Sequence, residues 1–534
     1  WRCAAGLKNQ LWLGDEDMTM TRRGRSRSRA KATLAAAVAA ASWLALCGRC
    51  TLFSPPPPPG PPFLDALVGF ATNIYPWKYM LQLRREGYSD VARVDLGPAG
   101  EFMFMMSAES TQEVAVEKAE AFSRRVTVPL FETLELDCGI VYEQGSRHRR
   151  NKRLCLPSFE AKGSLVSCLA AVHAEFEALR ERWRSLCEAG GGQAEVDLYV
   201  EMRKYALDIV LRVTFGLGDV ANSYDRDDEL SATIKEYLER VVAVANEVPP
   251  IYQVAPWLSP NYIAVVDRLL PKLRELVDDV IAQRRKDLAA GKAAGTTAPS
   301  SRADLLSLLL ADQTIDDREI SRILCDIIIA ASDTTASTLS AALYVLHEPR
   351  HRNVQLAAAR EEAARVDASL LSFDELKTKL PYTLALTREI LRLYPPVPFI
   401  GRTSVADATV SGYAVKKGST AVFSPWYLGR DTFAWGSSAE EFQPERWIAN
   451  YTTGGAPTAN QWLPFGAGLR GCLGTRLAVA ETLVGISRIL REFDFSFQLD
   501  GELQFSYDIF LNLEGSTRCT VTPRKLTSAG EKTA

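Results

Sequence analysis

The stretch Phe465-Gly-Ala-Gly-Leu-Arg-Gly-Cys-Leu-Gly474 decides how this chain is interpreted. Its cysteine, Cys472, stands in a glycine-rich loop directly before a helical run from Thr475 to Phe493. A cysteine there faces unpaired backbone N–H groups and the positive end of a helix dipole, and both favour the thiolate. The glycines let the backbone approach the sulfur closely, and Arg470 can hold an anionic group beside it. A thiolate held in this way is a good axial ligand for haem iron; from these residues alone, a buried cysteine in a turn is the equal alternative.

The composition is that of a globular protein. Of 534 residues, 47% are hydrophobic and 24% are charged, which provides a sizeable core and excludes a mainly disordered, fibrous or collagen-like chain. The formal net charge of −3 does not indicate a nucleic-acid binder, so we expect no nucleic-acid partner. The 4 histidines argue against a multi-histidine metal site. The 10 cysteines are too few for a disulfide scaffold in a chain of this length.

Two other segments match motifs of known chemistry but lack the structural context that the chemistry needs. His347-Glu-Pro-Arg-His351 matches the HExxH zinc pattern, yet Pro349 opposes the continuous helix that would place both histidines on one face. Gly466 to Gly471 matches GxGxxG, but Pro464 interrupts the strand that a dinucleotide-binding fold needs just before it. We interpret the first as a helix-ending turn and the second as part of the cysteine loop.

The fold class that the sequence predicts is mainly α-helical with small β-sheets, in one large unit that begins near Phe63. A capping pattern at Asp316 and Glu319 opens a segment without a helix breaker to about Leu346, a helix of roughly 45 Å. A second capping box is predicted at residues 372–375. The predicted strands are Val91–Leu96, Phe102–Met106, Thr409–Ser411, Ser419–Phe423, Phe493–Gln498 and Arg518–Thr522. The predicted loops are Gly190–Gly192, Gly291–Ser301 and Thr452–Asn460.

Four motifs, in this order along the chain, carry a resemblance to a known family. Ala330–Thr335 matches an oxygen-activation motif, Glu389 and Arg392 match ExxR, and Phe442–Trp447 matches a segment whose arginine, here Arg446, completes a buried triad with that pair. The decapeptide fits FxxGxRxCxG at every defining position, which are Phe465, Gly468, Arg470, Cys472 and Gly474. The chain thus resembles the cytochrome P450 family over roughly residues 63 to 524. The resemblance implies the cytochrome P450 fold, with haem between a long central helix and the cysteine loop.

The resemblance also implies a haem-binding role for particular residues. Cys472 is expected to be the thiolate ligand of haem b, with Phe465 packed against its loop. Arg470 and Arg402 are expected to hold the haem propionates. The family's proximal helix carries WxxxR, where this chain has His148 and Lys152. These two side chains can still donate hydrogen bonds, but less rigidly than Trp and Arg, so retention or redox tuning of the haem is expected to differ.

For the reaction itself the resemblance points to the central helix. Thr334 is expected to hydrogen-bond dioxygen, and Asp333 to relay protons as a general acid. Ala331 stands where the family often has glycine, and alanine is an accepted replacement there. Glu389, Arg392 and Arg446 are expected to be structural, since buried charges are retained only when they are paired.

The function that follows is a haem-thiolate monooxygenase. It would insert one atom of O₂ into a lipophilic substrate, such as a fatty acid, carotenoid, sterol or terpenoid. Electrons from NADPH would arrive through a reductase or a ferredoxin, for which the basic run Arg147–Arg153 is a candidate docking face. The alternatives are an isomerase or dehydratase of the same fold, a non-catalytic haem-binding protein, and an inactive gene product. The acid–alcohol pair at Asp333 and Thr334 argues against the isomerase.

The N-terminal residues indicate targeting or membrane anchoring. A basic flank precedes 17 uncharged residues, rich in alanine, at Ala32–Gly48, and a proline-rich spacer follows. The predicted organisation is an anchor or cleaved leader at 1–50, a hinge at 51–62, the catalytic domain at 63–525 and a tail at 526–534. Trp1 is not an initiator residue, so Met18 and Met20 are candidate starts. We expect the cytosolic face of the endoplasmic reticulum membrane, with a plastid as the alternative.

Overall fold

The computed structural model describes residues 55–72, 75–97, 100–127, 129–216, 229–245, 247, 251–293, 304–448, 461–497, 505–508, 510–513 and 517–524. The chain divides into two units, residues 1–56 and 57–534. Of the first unit only Pro55 and Pro56 are described, and the elements below belong to the second. The predicted N-terminal anchor, the predicted tail and the loop predicted at 452–460 lie outside the described residues.

Helices make up most of the described chain. The α-helices are α1 (Phe63–Thr72), α2 (Pro76–Arg85), α3 (Ala108–Gln112), α4 (Pro129–Thr133), α5 (Gly145–Glu160), α6 (Lys162–Ala189), α7 (Leu198–Phe215), α8 (Glu229–Ala245), α9 (Ile251–Val254), α10 (Pro260–Ile263), α11 (Leu270–Ala293), α12 (Leu305–Ala311), α13 (Asp317–His347), α14 (Pro349–His351), α15 (Ala357–Arg365), α16 (Phe373–Lys379), α17 (Pro381–Leu393), α18 (Pro425–Leu428), α19 (Thr432–Trp435) and α20 (Thr475–Glu492). Turns of π-helix occur at Glu113–Glu117, Ala264–Leu269 and Arg352–Leu356, and 3₁₀ turns at Pro256–Leu258, Ala368–Leu370, Pro444–Trp447 and Gly468–Arg470.

The strands form small sheets, as the sequence predicts. They are β1 (Val91–Asp95), β2 (Glu101–Met105), β3 (Arg124–Arg125), β4 (Ala194–Asp197), β5 (Ile400–Thr403), β6 (Ala408–Val410), β7 (Tyr413–Val415), β8 (Thr420–Phe423), β9 (Phe493–Phe497), β10 (Phe505–Asp508), β11 (Phe510–Leu513) and β12 (Arg518–Pro523). One sheet has the order β1-β2-β8-β5-β3 and another β4-β12-β9, while β6-β7 and β10-β11 are hairpins. The strands β2 and β8 are parallel. All the strands predicted from sequence are confirmed to within one residue at their described ends.

The long central helix is confirmed as α13. The Asp316 side chain accepts a hydrogen bond from the Glu319 N–H and so satisfies one of the donors that a helix start leaves open. The helix then runs for 31 residues and packs against α7, α11 and α20. It ends at His347, and Pro349 begins the separate short helix α14. The helix-ending turn predicted within the HExxH match is therefore confirmed.

Other local predictions depend on the same short-range signals. The capping box of Ser372 and Glu375 is present at the start of α16. The turn at Gly190–Gly192 is confirmed, with positive φ angles at its last two residues. The loop predicted to begin at Gly291 was wrong by three residues, because α11 continues to Ala293.

In the described part of the chain, α13 is the helix whose length and composition would allow it to cross a membrane. Of its most apolar window, 67% is buried inside the protein. The apolar residues of α13 thus belong to the core, where it lies beside α20, the helix that follows the cysteine loop.

Candidate active site

The cysteine loop has a backbone that only glycine adopts easily at two positions. Gly466 and Gly468 have φ angles of 65° and 62°, in the left-handed region. At Gly468 an added Cβ would lie 2.1 Å from the carbonyl oxygen of Ala115, so no larger residue fits. The Cys472 N–H closes the loop by donating to the Phe465 carbonyl at 2.8 Å. The glycines of the motif therefore fix the position of the cysteine sulfur.

Cys472 lies in the loop directly before α20. Its side chain keeps accessible surface, yet burial is the largest influence on the thiol and raises its pKa. Hydrogen bonds from the Gly474 N–H and the Thr475 hydroxyl act in the opposite direction, as do the charges of Lys152 and Arg125. Donors and cations thus surround the sulfur at the start of α20, and a bound metal ion would complete its ionisation.

A group of cations lies near Cys472. In the pairing of β3 with β5, Arg125 lies directly opposite Arg402. Arg402 Nη2 and Arg125 Nε are buried without a hydrogen-bond partner. Burial lowers the pKa of both side chains, and that of Arg402 falls well below its usual range because Arg125 and Arg470 add their repulsion. Among the described residues no carboxylate forms an ion pair with these three guanidinium groups.

Unpaired buried guanidinium groups need an anion with several acceptor atoms. The two propionates of haem are such an anion, and Cys472 lies beside the same cations. The residues present therefore fit a haem whose thiolate ligand is Cys472 and whose propionates are held by Arg402 and Arg125. Sequence reasoning missed Arg125, because no motif marks it and only the pairing of two distant strands brings it to Arg402.

Arg470 makes several hydrogen bonds within the protein. Its Nε and Nη2 atoms donate to the Ser123 carbonyl at 3.1 and 3.0 Å, and Nη1 donates to the Glu143 carbonyl at 2.6 Å. Nη2 also reaches Gln144 Oε1 at 3.1 Å. These contacts tie the cysteine loop to the segment before α5, so that Arg470 supports the cradle, and its contact with a propionate stays a prediction.

The helix α5 supplies His148 and Lys152. His148 is buried, and burial together with the charges of Arg470 and Lys152 lowers its pKa to about 3, so the imidazole is neutral at neutral pH. Lys152 Nζ donates to the carbonyls of Leu469 and Gly471 at 2.9 and 2.8 Å. The lysine therefore holds the cysteine loop, and its contact with a propionate stays a prediction.

The structure brings the three predicted structural residues together. Arg392 Nε and Nη2 each donate to a carboxylate oxygen of Glu389 at 2.8 Å, and Arg446 Nε donates to Glu389 Oε1 at 2.9 Å. The same carboxylate also accepts hydrogen bonds from the Trp447 indole and the Gln443 N–H, both at 2.8 Å. Because both partners of the Glu389–Arg392 pair are fully buried, the network is satisfied within the protein rather than by water.

Asp333 and Thr334 point in different directions, since adjacent residues of a helix do not face each other. Asp333 is buried against α7, where Oδ1 lies 2.9 Å from Arg203 Nε and accepts a hydrogen bond from the Tyr199 hydroxyl at 3.2 Å. Burial raises the pKa of Asp333, and Arg203 opposes that rise. The Thr334 hydroxyl donates to the Ala330 carbonyl at 2.7 Å. The two residues predicted as a pair are therefore not in side-chain contact.

A second carboxyl of the site was missed from the sequence. Glu481 of α20 is buried, and the Thr335 hydroxyl donates to its Oε2 at 2.9 Å. Burial raises the pKa of Glu481 to about 8, so that it is mostly protonated at neutral pH. This contact joins the central helix to the helix that carries the cysteine loop. A glutamate among apolar residues of a helix was the only signal in the sequence.

Comparisons with known proteins agree with this geometry. The family model for cytochrome P450 matches residues 55–517. The beta-amyrin 24-hydroxylase of Glycine max is 25% identical over 459 residues, which cover 82% of this chain and 86% of the relative. The protein LUTEIN DEFICIENT 5, chloroplastic, of Arabidopsis thaliana is 25% identical over 423 residues, covering 76% and 67%. Cytochrome P450 736A117 of Prunus mume is 26% identical over 460 residues, covering 82% and 84%.

Proposed function

The chain belongs to the cytochrome P450 family, and on that premise we propose that this monooxygenase hydroxylates or epoxidises a polycyclic lipophilic substrate of the terpenoid type. Bound haem would supply the activation of O₂ and the transfer of one oxygen atom. The observation that supports this assignment is that Arg125 and Arg402 lie beside Cys472 without a carboxylate partner. Such cations need an anion, and the propionates of a bound haem would supply it.

The residues of the chain divide the work between binding and proton transfer. Cys472 would hold the iron from the loop before α20, and Lys152 would keep the loop carbonyls in place. Thr334 offers a hydroxyl on a part of α13 that keeps accessible surface. To deliver protons, the Asp333 side chain would leave Arg203 and Tyr199 and turn towards Thr334. The ion pair between Asp333 and Arg203 would therefore control proton delivery.

The substrate class follows from the cavity wall and from the relatives. The resemblance predicts a pocket that draws on residues 122–139, on Ile327–Ala330 of α13 and on Val397–Ile400, which are apolar or mixed in character. Apolar walls with a few polar groups favour a lipophilic ligand. The name of one relative specifies hydroxylation of beta-amyrin, and that of another specifies lutein deficiency. These names support a terpenoid more than a fatty acid.

The electron donor is proposed to be a reductase or ferredoxin that draws on NADPH. The candidate docking face lies on α5, the helix that also contacts the cysteine loop. Within the basic run, Arg147 and Arg150 are paired with Glu143 and Glu319. Arg149 is about half exposed and lies 3.9 Å from Glu120, so the exposed charge that remains for an acidic partner is that of Arg153.

Membrane attachment is proposed through residues 1–50 and α1. Four large apolar side chains of α1 are exposed directly after the proline-rich spacer: Phe63, Leu64, Leu67 and Val68. An exposed apolar helix next to an apolar N-terminal segment suits attachment to a membrane surface. The endoplasmic reticulum membrane, facing the cytosol, is the proposed location, and a plastid membrane is the alternative.

The test is a difference spectrum of the reduced full chain with and without carbon monoxide, beside Cys472→Ser. A strongly red-shifted Soret band that the variant lacks supports thiolate ligation by Cys472, while the same band in both, or in neither, contradicts it. Consumption of O₂ with NADPH and a reductase then separates a monooxygenase from an isomerase, because the isomerase would show the band without consuming O₂.

A further inference from the structure

A cleft of about 460 Å³ opens between α11, the start of α13 and the segment that follows α4. Three arginines line it: Arg274 comes from α11, and Arg318 and Arg322 come from the first two turns of α13. The segment after α4 contributes Glu135. None of these four residues takes part in the site around Cys472, so the cleft is a separate feature of the molecule.

The Glu135 carboxylate is shared by all three arginines. Its Oε1 lies 2.5 Å from Arg318 Nη2, while Oε2 lies 3.0 Å from Arg274 Nη2 and 2.5 Å from Arg322 Nη2. One negative charge thus faces three positive charges, and one oxygen serves two guanidinium groups. The Nε atom of Arg322 is buried and has no acceptor among the described residues. The donors of the cleft therefore exceed what Glu135 can satisfy.

The two other acids that line the cleft do not remove this excess of positive charge. Asp317 is held by a further arginine, Arg285, whose Nε lies 3.0 Å from both carboxylate oxygens. Asp278 is exposed and forms no ion pair within the part of the chain that the structure describes. With Arg285 included, four cations face three anions, and the cleft keeps a positive charge that favours an anionic ligand.

The backbone of Glu135 is strained. Its φ angle of 56° lies in the left-handed region, which residues other than glycine rarely adopt. Such a backbone persists only where the surrounding contacts hold it, and it is concentrated at functional sites. The ion pairs with the arginines are contacts of this kind. A ligand that replaced Glu135 on the arginines would therefore also release backbone strain.

We propose that this cleft binds a phosphate monoester, whose three terminal oxygens replace the Glu135 carboxylate. Three oxygens offer one acceptor to each arginine, whereas a carboxylate or a phosphodiester has only two. The planar donor groups of arginine match phosphate oxygens in pairs, which suits them to this ligand. The cleft is larger than a phosphate group and has room for part of the organic portion of the ester. Binding here does not depend on the proposed oxidation reaction.

The test is isothermal titration calorimetry of the haem-loaded full chain with phenyl phosphate and with its methyl ester. The two probes share the aromatic ring, but the methyl ester is a phosphodiester with two terminal oxygens. Wild type is expected to bind phenyl phosphate about tenfold more tightly, the usual size for one hydrogen bond between charged groups. Equal affinity for the two probes would overturn the proposal.

Two substitutions in the cleft should change the affinity for phenyl phosphate in opposite directions. Glu135→Gln removes the competing charge and keeps the arginines, so binding should become about tenfold tighter. Arg322→Gln removes the least exposed of the three donors and should weaken binding about tenfold. Because a misfolded variant would lose affinity, the gain in Glu135→Gln separates ligand binding from a merely structural role. Weaker binding by Glu135→Gln, or no binding by either wild type or this variant, would overturn the site.

Arg268→Gln is the matched control, since Arg268 pairs with Glu236 and does not line the cleft. It changes the net charge as Arg322→Gln does, and the affinity for phenyl phosphate should stay unchanged. A loss equal to that of Arg322→Gln would show a response to net charge alone and refute the site. Phosphatidylcholine vesicles that contain phosphatidic acid, a lipid with a phosphate monoester headgroup, identify the source of the ligand. They compete with phenyl phosphate if the ligand is a lipid and do not compete if it is a soluble ester.

Discussion

The protonated carboxyl of Glu481 predicts a particular dependence of stability on pH, which Glu481→Gln should remove. The pKa of Glu481 rises from 4.5 to about 8 on folding because the group is buried, and the hydrogen bond from the Thr335 hydroxyl opposes that rise. Between these two values the folded protein holds a proton that the unfolded chain has released. The free energy of unfolding therefore falls as pH rises through this window, by about 1.4 kcal/mol per pH unit. Below pH 4.5 both states hold the proton, and the free energy of unfolding does not depend on this group. Above about pH 8 both states have released it, and the decrease in the free energy of unfolding is complete.

Glutamine has the size of glutamate and can still accept from Thr335, but it does not titrate. The free energy of unfolding of Glu481→Gln minus that of wild type should therefore increase by about 2.7 kcal/mol between about pH 5.5 and about pH 7.5. Urea denaturation of the haem-loaded proteins, followed by far-ultraviolet circular dichroism, measures this difference. Every group that the two proteins share cancels in the comparison.

Thr335→Val is the control for this experiment. It keeps the carboxyl and removes the hydrogen bond that lowers its pKa, so the slope of wild type should persist and extend to higher pH. A difference between wild type and Glu481→Gln that stays constant across the window would refute a protonated Glu481.

Three further perturbations test other parts of the site. Glu389→Ala leaves Arg392 as a buried, uncompensated charge at a cost of about 3–5 kcal/mol; the yield of protein with the red-shifted carbon monoxide band should fall to background, and a normal yield would count against the network. Lys152→Met removes two hydrogen bonds to the cysteine loop; haem transfer to apomyoglobin should accelerate severalfold and the reduction potential should change, whereas Lys152→Arg should restore much of both. Arg203→Met removes the charge that lowers the pKa of Asp333; the limb of the pH–rate profile that reports ionisation of this carboxyl should move to higher pH, and an unmoved limb would exclude Asp333 from proton delivery.

The elements that could be predicted from sequence are those fixed by short-range interactions. Asp316 caps α13 through a residue three positions away, and the ExxR pair forms within one helical turn. The strands followed from runs of residues that favour extended backbone. Each of these features depends on residues a few positions apart, so a short window of sequence was sufficient to predict it.

The parts that were missed depend on contacts between distant segments. Arg125 meets Arg402 only through the pairing of two strands, and Arg203 reaches Asp333 from another helix. Glu481 meets Thr335 across 146 positions. No periodicity or spacing encodes such partners, because the packing of whole helices and sheets decides them. The carbonyl groups that accept hydrogen bonds from Arg470 and Lys152 were missed for the same reason, since they belong to distant segments of the chain.

The network around Arg392 also sets an order of events while the chain is being synthesised. Glu389 precedes Arg392, but the carbonyl acceptors of its guanidinium at Gly429 and Glu441 follow 37 and 49 positions later. At about 5–20 residues per second, roughly two to ten seconds separate translation of the arginine from that of its last acceptor. During that interval the guanidinium lacks the carbonyl acceptors that it has when buried, so α17 cannot take its final place in the core. A ribosome paused in this interval would hold a nascent chain with an open core, the state in which a molecular chaperone has most to bind.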